Sequence, residues 1–310
     1  MTAPASVVTV GTFDGVHRGH HAVLEVIAHR AGRAGLQSVL VTFEPHPLDV
    51  VNPLAAPPRL TTAGERLEVV ATSAIDRMIV LPFDRKMATQ SPEDFVDRVL
   101  RDRCGMRELV IGYDHGFGKG RAGDVETLRV LGQRQGFPVD VVAPVTIDGT
   151  AVSSTAIRRA IAGGDLDGAA LLLGRRYSLS GVVRPGAHRG TGIGFPTANL
   201  AVPSRKLLPP DGVYAVIADT PRGRFGGMMN QGHRPTFDDG RRLLEAHLFG
   251  PVGDLYHRAV RVEWVAYLRE IRRFEGVAAL QQQLEADRLH AMAALAAVGV
   301  DLDAPLVAPE

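Results

Sequence analysis

The first half of the chain alternates compact apolar runs with segments of helical periodicity. The apolar runs predict strands at Val7–Val10, Ser38–Phe43, Arg77–Leu81, Glu108–Gly112 and Val139–Val142. Apolar positions at helical spacing predict helices between them, from His21 onward and over Gly64–Ser73, Pro92–Arg103 and Val125–Gln135. Strand–helix alternation of this kind predicts a parallel, doubly wound α/β sheet, which binds ligands at the carboxyl ends of its strands.

The pattern changes near residue 176. Short β-rich segments separated by Gly, Pro and Asp clusters follow, at Ser178–Val183, Val213–Ala218, Arg224–Asn230, Leu243–Leu248 and Ala259–Tyr267. They predict a small antiparallel β-barrel. A closing helix is predicted after it, with one apolar stripe made of Val277, Leu280, Leu284, Ala291 and Leu295. We therefore expect two domains, residues 1–175 and 176–310.

Composition narrows the class of protein. Hydrophobic residues make up 45% of the 310 residues and charged residues 22%, which excludes a disordered chain, while a net charge of +1 argues against a dedicated nucleic-acid binder. Cys104 is the only cysteine, so neither an intramolecular disulfide nor a cysteine zinc site is expected. Neither a signal peptide nor an apolar run of about 20 residues is visible. We expect a soluble, cytoplasmic protein with no nucleic-acid or membrane partner.

The string GTFDGVHRGHH runs from Gly11 to His21, between the first predicted strand and the first predicted helix. His17 and His20 are three residues apart and so face the same way at a helix start. Glycines allow a ligand to approach the backbone, and a helix N-terminus favours an anion by about 0.3–1 kcal/mol. A glycine-rich turn that only connects the strand to the helix could have the same sequence. The pattern alone therefore does not distinguish an anion-binding loop from a connecting turn.

This string resembles the HxGH signature of the nucleotidyltransferase superfamily, in the form found in the bacterial riboflavin kinase/FAD synthetase family. The resemblance implies that the two histidines and the glycines hold ATP phosphates while the phosphate of FMN attacks the α-phosphorus. The residues it assigns here are His17 and His20 as catalytic groups, and Gly11, Phe13, Asp14 and Gly19 as ATP-binding groups.

Three further strings of the first half fit the same family. Ser153, Ser154 and Thr155 precede an apolar helical pattern and could serve only as helix caps. By resemblance they bind the triphosphate, while Arg158 balances charge on the leaving pyrophosphate. The string GYDHGFG resembles a nucleotide- or flavin-contacting loop and places Asp114 at ATP, and FEPHP resembles another family loop. A glycine-rich connecting loop that contacts no ligand could have a sequence similar to GYDHGFG.

The string GFPTANL, Gly194–Leu200, is the most informative one in the second half. Thr197 and Asn199 share one face of an extended chain, and two neutral oxygens suit Mg²⁺, although such residues are also common turn formers. The string resembles the hallmark of riboflavin kinases, in which this Thr and Asn bind magnesium and ATP phosphates. The resemblance also places Gly186, Arg189 and Gly190 at ATP.

A kinase must also activate the hydroxyl of riboflavin. In the segment Leu244–Leu248, Glu245 and His247 alternate with apolar residues and share the outer face of a strand, where solvated polar residues are common. The ExHL string resembles the family segment whose glutamate is the catalytic base, so Glu245 takes that role and His247 takes none. The segment Leu268–Phe274 resembles the family string LRxExxF. This resemblance places Arg272 and Phe274 at the flavin.

The chain departs from the family pattern at Gln231, Gly250, His257 and Ile271, and we expect these departures to affect flavin binding. The resemblance implies a Rossmann-like nucleotidyltransferase domain and a riboflavin-kinase barrel with a C-terminal helix. ATP, riboflavin and FMN would be substrates, FMN and FAD products and Mg²⁺ the cofactor, with a weak homo-oligomer left open. One alternative is a different nucleotidyltransferase, and the string GFPTANL argues against it. The other is a flavin-binding regulator built on a kinase fold that has lost its activity, and the presence of Glu245 argues against it.

Overall fold

The computed structural model describes residues 3–113, 116–117, 123–186, 190–233 and 242–300. The chain divides into two compact units, Met1–Ala156 and Ile157–Glu310. None of the helices in these described ranges combines the length and the apolar character needed to cross a bilayer.

The elements of the first unit alternate as predicted, with short additions. They are β1 (Ser6–Val10), α1 (Arg18–Ala34), β2 (Gln37–Glu44), α2 (Pro47–Val51), α3 (Ala63–Ala71), β3 (Arg77–Pro82), α4 (Arg85–Ala88), α5 (Pro92–Phe95), a π-helical segment (Val96–Arg101), β4 (Met106–Gly112), β5 (Gly116–Phe117), β6 (Gly123–Asp124), α6 (Val125–Gln135), β7 (Val139–Val142), β8 (Thr146–Ile147), β9 (Thr150–Ala151) and the start of α7 (Ser154–Ala162).

The main sheet is parallel and has the order β3-β2-β1-β4-β7. The chain moves outward from β1 through β2 to β3 and then returns to the other side of β1 with β4. β1 is therefore the central strand at the point where the strand order reverses, which is where doubly wound sheets bind ligands. The predicted fold class is confirmed for this half.

Both faces of β1 are covered. Val7 packs with Leu24 and Ile27 of α1, whereas Val8 and Val10 belong to the core on the other face of the sheet. Alternate residues of a strand point to opposite faces, so a central parallel strand needs apolar residues at every position. This explains the valines of β1, among which Thr9 is a buried polar residue.

One predicted helix of this unit differs from the structure. Pro92–Arg103 was expected to be a single α-helix, but only Pro92–Phe95 is α-helical, and Val96–Arg101 forms a π-helix. The wider turn accompanies burial of four apolar side chains in the core: Phe95, Val96, Val99 and Leu100.

The second unit contains the end of α7, then α8 (Leu166–Leu173), β10 (Ser178–Arg184), a 3₁₀ turn (Thr191–Ile193), β11 (Ala198–Leu200), β12 (Gly212–Thr220), β13 (Gly223–His233), β14 (Arg242–Leu248), β15 (Ala259–Arg269) and α9 (Val277–Ala297). The strands close into a barrel in the order β10-β11-β14-β13-β12-β15. Closure pairs both edges of the sheet, and the predicted barrel with a C-terminal helix is confirmed.

α9 packs on the outside of the barrel. Ala291 and Leu295 are fully buried against Ala215 and Met228, but Val277 at the start of the helix is 60% exposed. The predicted stripe was therefore wrong at Val277, because the first turn of α9 extends beyond the barrel core. The buried face instead includes a charged residue, Asp287, which is 1% exposed.

Candidate active sites

His17 and His20 form a reciprocal cap at the start of α1. His17 is the N-cap residue; its Nδ1 accepts a hydrogen bond from the His20 N–H, and the His20 Nδ1 accepts one from the His17 N–H, each at 3.3 Å. The two rings stack with centroids 3.7 Å apart. Because each Nδ1 accepts, the neutral rings carry their protons on Nε2. The local sequence thus fixes the tautomers as well as the positions of both imidazoles.

The loop before the histidines has an unusual backbone. Phe13 and Val16 adopt positive φ angles of 48° and 39°, a region that costs non-glycine residues about 1–3 kcal/mol each. A Cβ on Gly11 would lie 3.0 Å from the Phe13 ring, and one on Gly19 would lie 3.2 Å from the His17 ring. The two glycines let the chain pass close to these rings, and the loop holds a conformation that other contacts must stabilise.

Asp14 faces the protein backbone. Its side chain is 2% exposed, and the carboxylate accepts hydrogen bonds from the N–H groups of Leu60 and Thr61 at 3.0–3.1 Å. The geometry gives this carboxylate a role in holding the loop. The expected contact between Asp14 and a nucleotide stays a prediction.

The loop between β1 and α1, residues 11–17, is called the HxGH loop below. The start of α7 adjoins this loop. The Ser153 Oγ accepts from the Ala156 N–H at 3.2 Å and so caps the helix, whereas the Ser154 Oγ donates to the Asp14 carbonyl at 2.9 Å. Two predicted motifs, far apart in sequence, are therefore joined within the first unit, and two helix N-termini lie beside the same loop. Thr155 is exposed, and Arg158 is half-buried further along α7.

In the second unit, a row of polar residues crosses four barrel strands. Asn199 of β11 pairs with Arg184 of β10 and with Glu245 of β14, and Glu245 pairs in turn with Asn230 of β13. Directly paired residues of an antiparallel sheet point to the same face. The neighbours of Glu245, Leu244 and Ala246, are buried inside, so the row lies on the outer face of the barrel, as the alternation predicted.

Asn199 has an unsatisfied oxygen. The residue is 7% exposed, and its Oδ1 has no hydrogen-bond partner in the described part of the chain. A Cβ on Gly186 would lie 2.0 Å from its Nδ2, so the Gly186 backbone covers the amide. Gly190 is likewise required, since a Cβ there would lie 2.1 Å from the Phe195 carbonyl. A buried amide oxygen without a donor suits a cation or another donor.

His247 holds the turn that carries the PTAN string. Its Nδ1 lies 2.8 Å from the Pro196 carbonyl oxygen, which can only accept, so this nitrogen carries the proton. The ring also contacts Phe195 edge-on with centroids 5.1 Å apart. Thr197 follows this turn and is half-buried. His247, which was predicted to have no role, therefore ties the PTAN turn to the strand that carries Glu245.

A cleft of about 550 Å³ lies beside the start of α9. Its lining consists of Arg272, Arg273, Phe274, Glu275, Ala279, Gln282, Gln283 and Ala286. The guanidinium of Arg272 stands 5.3 Å from the centre of the Phe274 ring. Behind the cleft, Arg269 forms a bidentate ion pair with the buried Asp287, which also accepts from Gln283. The end of β15 is thus fixed to α9.

The structure shows the surroundings or the backbone conformation of the four departures from the family pattern. Gln231 is fully buried inside the barrel, where its amide donates to the Pro209 and Pro210 carbonyls and accepts from Trp264. Gly250 and His257 both adopt positive φ angles, 91° and 61°. Ile271 packs on Gly232, where a Cβ would lie 2.3 Å from its Cδ1. Gln231 is on the face opposite to Glu245, so its direct effect on flavin binding stays unsupported.

Two of the predicted ATP-binding residues, Asp114 and Arg189, lie outside the described residues. Conversely, sequence reasoning missed the buried Arg66 and Thr61, which contact the HxGH loop. The available signal was the string Thr62-x-x-Glu65, which forms a capping box and marks a helix start directly after Thr61.

Family models match most of the chain. A model described as FAD synthetase matches residues 1–156, and one described as riboflavin kinase matches residues 173–295. The two matches fall on the parallel-sheet unit and on the barrel with its C-terminal helix.

Individual proteins match over nearly the full length. A bifunctional riboflavin kinase/FMN adenylyltransferase of Pseudomonas fluorescens is 40% identical over 91% of this chain and 90% of its own length. The protein of the same description from Escherichia coli K12 is 36% identical, over 92% and 91%. A crystal structure named as a macrolide-efflux protein from Streptococcus pneumoniae has a TM-score of 0.82 at 30% identity, covering 93% of each chain.

Proposed function

The chain belongs to the bifunctional riboflavin kinase/FMN adenylyltransferase family, and from this premise we propose how its residues divide the two reactions. It is an enzyme that phosphorylates riboflavin to FMN in its C-terminal part and adenylylates FMN to FAD in its N-terminal part, with ATP as the second substrate of both. We place the domain boundary at residue 175, just before the barrel.

One observation carries the kinase assignment: Glu245 lies directly opposite Asn199 across β11 and β14. Glu245 is the general base that accepts the proton of the riboflavin hydroxyl. The hydroxyl oxygen attacks the γ-phosphorus of ATP, and ADP leaves as the bond to the β–γ bridging oxygen breaks. Such a base contributes about 10²- to 10⁴-fold, while positioning and charge stabilisation supply the rest. The pairing with Asn199 brings the base beside the residues that we assign to ATP.

Mg²⁺ fits the oxygens of Thr197 and Asn199. The buried Asn199 Oδ1 without a donor supports this, because Mg²⁺ takes neutral oxygens and completes its shell with water and phosphate. When bound, Mg²⁺ would neutralise charge on the transferring phosphoryl group. Gly186 and Gly190 let the backbone approach the phosphates, and Arg189 is assigned to the same loop by resemblance alone.

In the adenylylation half, the His17 and His20 rings present Nε2–H donors at the N-terminus of α1. Donors on neutral rings suit phosphate oxygens, and the helix dipole adds to the attraction. Gly11, Phe13 and Gly19 shape the loop. Ser153 caps α7, and Ser154 and Thr155 form its start. Arg158, further along α7, would counter charge on the leaving pyrophosphate. The phosphate of FMN is already an anionic nucleophile, so no protein base is required.

We assign riboflavin to the cleft beside α9. Arg272 and Phe274 offer a guanidinium and an aromatic ring, which can contact the flat isoalloxazine ring by stacking. The Arg269–Asp287 ion pair holds the end of β15, three residues before Arg272. The remaining predictions, a cytoplasmic location and weak homo-oligomerisation, are not needed for this assignment.

The test is to incubate the purified protein with riboflavin, ATP and Mg²⁺ and to separate the flavins by chromatography. FMN followed by FAD is expected. FMN without FAD would contradict the adenylylation assignment, and no conversion, even from added FMN, would favour a flavin-binding regulator.

A further inference from the structure

The segment Leu60–Arg66 contacts the HxGH loop from behind, and we call this segment the brace. It begins in the connection between α2 and α3, includes the first turn of α3, and makes its contacts through backbone and side-chain groups. Leu60, Thr61 and Arg66 are all buried, at 0%, 7% and 3% exposure. Neither the sequence motifs nor the assigned catalytic residues include any of them.

Thr61 bonds to the loop at two adjacent residues. Its Oγ1 accepts a hydrogen bond from the Gly15 N–H at 3.0 Å and donates to the Asp14 carboxylate at 3.3 Å. The N–H groups of Leu60 and Thr61 donate to the same carboxylate. Asp14 and Gly15 stand between Phe13 and Val16, the two residues with positive φ angles. The brace therefore bonds the part of the loop whose backbone is strained.

Arg66 joins the loop after β1 to the last two residues of the neighbouring strand β2. One nitrogen, Nη1, donates to the Thr12 carbonyl at 3.2 Å, and Nη2 donates to the Phe43 carbonyl at 3.0 Å and to the Glu44 carboxylate at 2.9 Å. A planar guanidinium can span these acceptors, whereas an ammonium cannot present the same fork. Arg66 thereby fixes the exit of the loop from β1 relative to β2.

We propose that the brace is the positioning element of the adenylylation site, with Thr61 and Arg66 as positioning residues that hold the HxGH loop in its strained conformation. The proposal rests on the proposed function of this loop. Its consequence is that small displacements of the loop move both imidazoles, whose orientation matters most when charge develops on the triphosphate. Loss of a brace contact should therefore lower kcat more than it raises KM.

The main test is Thr61→Val, which keeps the side-chain shape and removes the hydroxyl. We expect kcat for FAD formation from FMN to fall at least tenfold, with KM for ATP and FMN changed less than threefold. Thr61→Ser should restore kcat to within threefold. Thr72→Val is the matched control, since it removes an exposed threonine hydroxyl at the C-terminal end of α3 and should leave kcat unchanged.

Riboflavin kinase activity of the same chain serves as the internal reference and should be unchanged in every variant. If Thr61→Val lowers the melting temperature but keeps kcat within twofold, the brace is only structural and the proposal is wrong. If Thr61→Val does not fold, Arg66→Lys decides: a tenfold loss of kcat is expected, and a normal kcat overturns the proposal. Absence of FAD formation by the unaltered protein would instead refute the proposed function itself.

Discussion

Asn199 and Glu245 are paired residues on adjacent antiparallel strands, although 45 positions separate them in the sequence. Both side chains lie on the outer face of the barrel. The pair places a carboxylate beside a buried amide oxygen that has no donor among the described residues. Strand register thus brings together the residue that we propose as the base and the residue that we propose as a metal ligand.

The first prediction follows for Glu245→Gln. An amide keeps the size of the side chain but cannot accept the hydroxyl proton, so FMN formation should fall at least about 100-fold. FAD formation from supplied FMN should stay within twofold, because no base is assigned in that half. Flavin chromatography measures both reactions, and Glu285→Gln on the exposed face of α9 is the control. Equal loss of both activities would contradict the division of labour.

The second prediction concerns the metal. Asn199→Leu removes the amide oxygen at a nearly buried position, so the Mg²⁺ concentration that half-saturates FMN formation should rise about tenfold or more. Asn199→Asp retains an oxygen there and should remain close to the original value or below it. Initial rates are measured against free Mg²⁺ at fixed ATP. An unchanged Mg²⁺ requirement in Asn199→Leu would exclude this residue as a ligand.

The third prediction separates two roles of His17. In His17→Asn the Oδ1 can still accept from the His20 N–H, so the cap of α1 is kept, but the Nε2–H donor is lost. FAD formation should fall about tenfold or more while the melting temperature stays within about 2 °C. His29→Asn, at an exposed position on α1, is the matched control. A normal rate in His17→Asn would mean that His17 serves only as the cap.

Local patterns predicted the elements that carry the sites. The β-branched run of β1 and the two histidines at the start of α1 are neighbours in sequence, so a strand, a loop and a helix start could be inferred from the string alone. The reciprocal cap that His17 and His20 form was not predicted. The outward face of Glu245 also followed from alternation within one strand, because Leu244 and Ala246 mark the interior.

Long-range relationships could not be predicted in this way. The register that pairs Asn199 with Glu245 depends on how separate strands close into a barrel. The burial of Arg66 and Asp287 opposes the usual preference of charged residues for solvent, and only the tertiary partners explain it. A prediction of the buried face of α9 from its apolar residues alone therefore included Val277 and missed Asp287.

The last prediction uses Tyr214, which is 1% exposed in the barrel. Burial, together with the nearby Tyr267 and Asp211, raises the pKa of its phenol from the ordinary 10.0 to about 12. Below pH 10 the phenol is neutral in both the folded and the unfolded chain, so it adds no pH dependence. Between pH 10 and 12 the unfolded chain loses the proton and the folded chain does not, so stability falls as pH rises, by up to about 1.4 kcal/mol per unit.

Tyr214→Phe should remove this part of the alkaline loss. The Pro210 carbonyl, which accepts from the Tyr214 hydroxyl, keeps a second donor in Gln231, so the substitution should cost only about 0.5–1.5 kcal/mol at neutral pH. Trp264 is the only tryptophan and is buried in the same barrel, so its fluorescence reports urea unfolding of this unit. The difference between the unaltered protein and Tyr214→Phe should narrow from pH 9 to pH 11.5, with Tyr256→Phe as the control. A constant difference would show that the Tyr214 phenol does not resist ionisation, and the barrel would then owe its alkaline sensitivity to other groups.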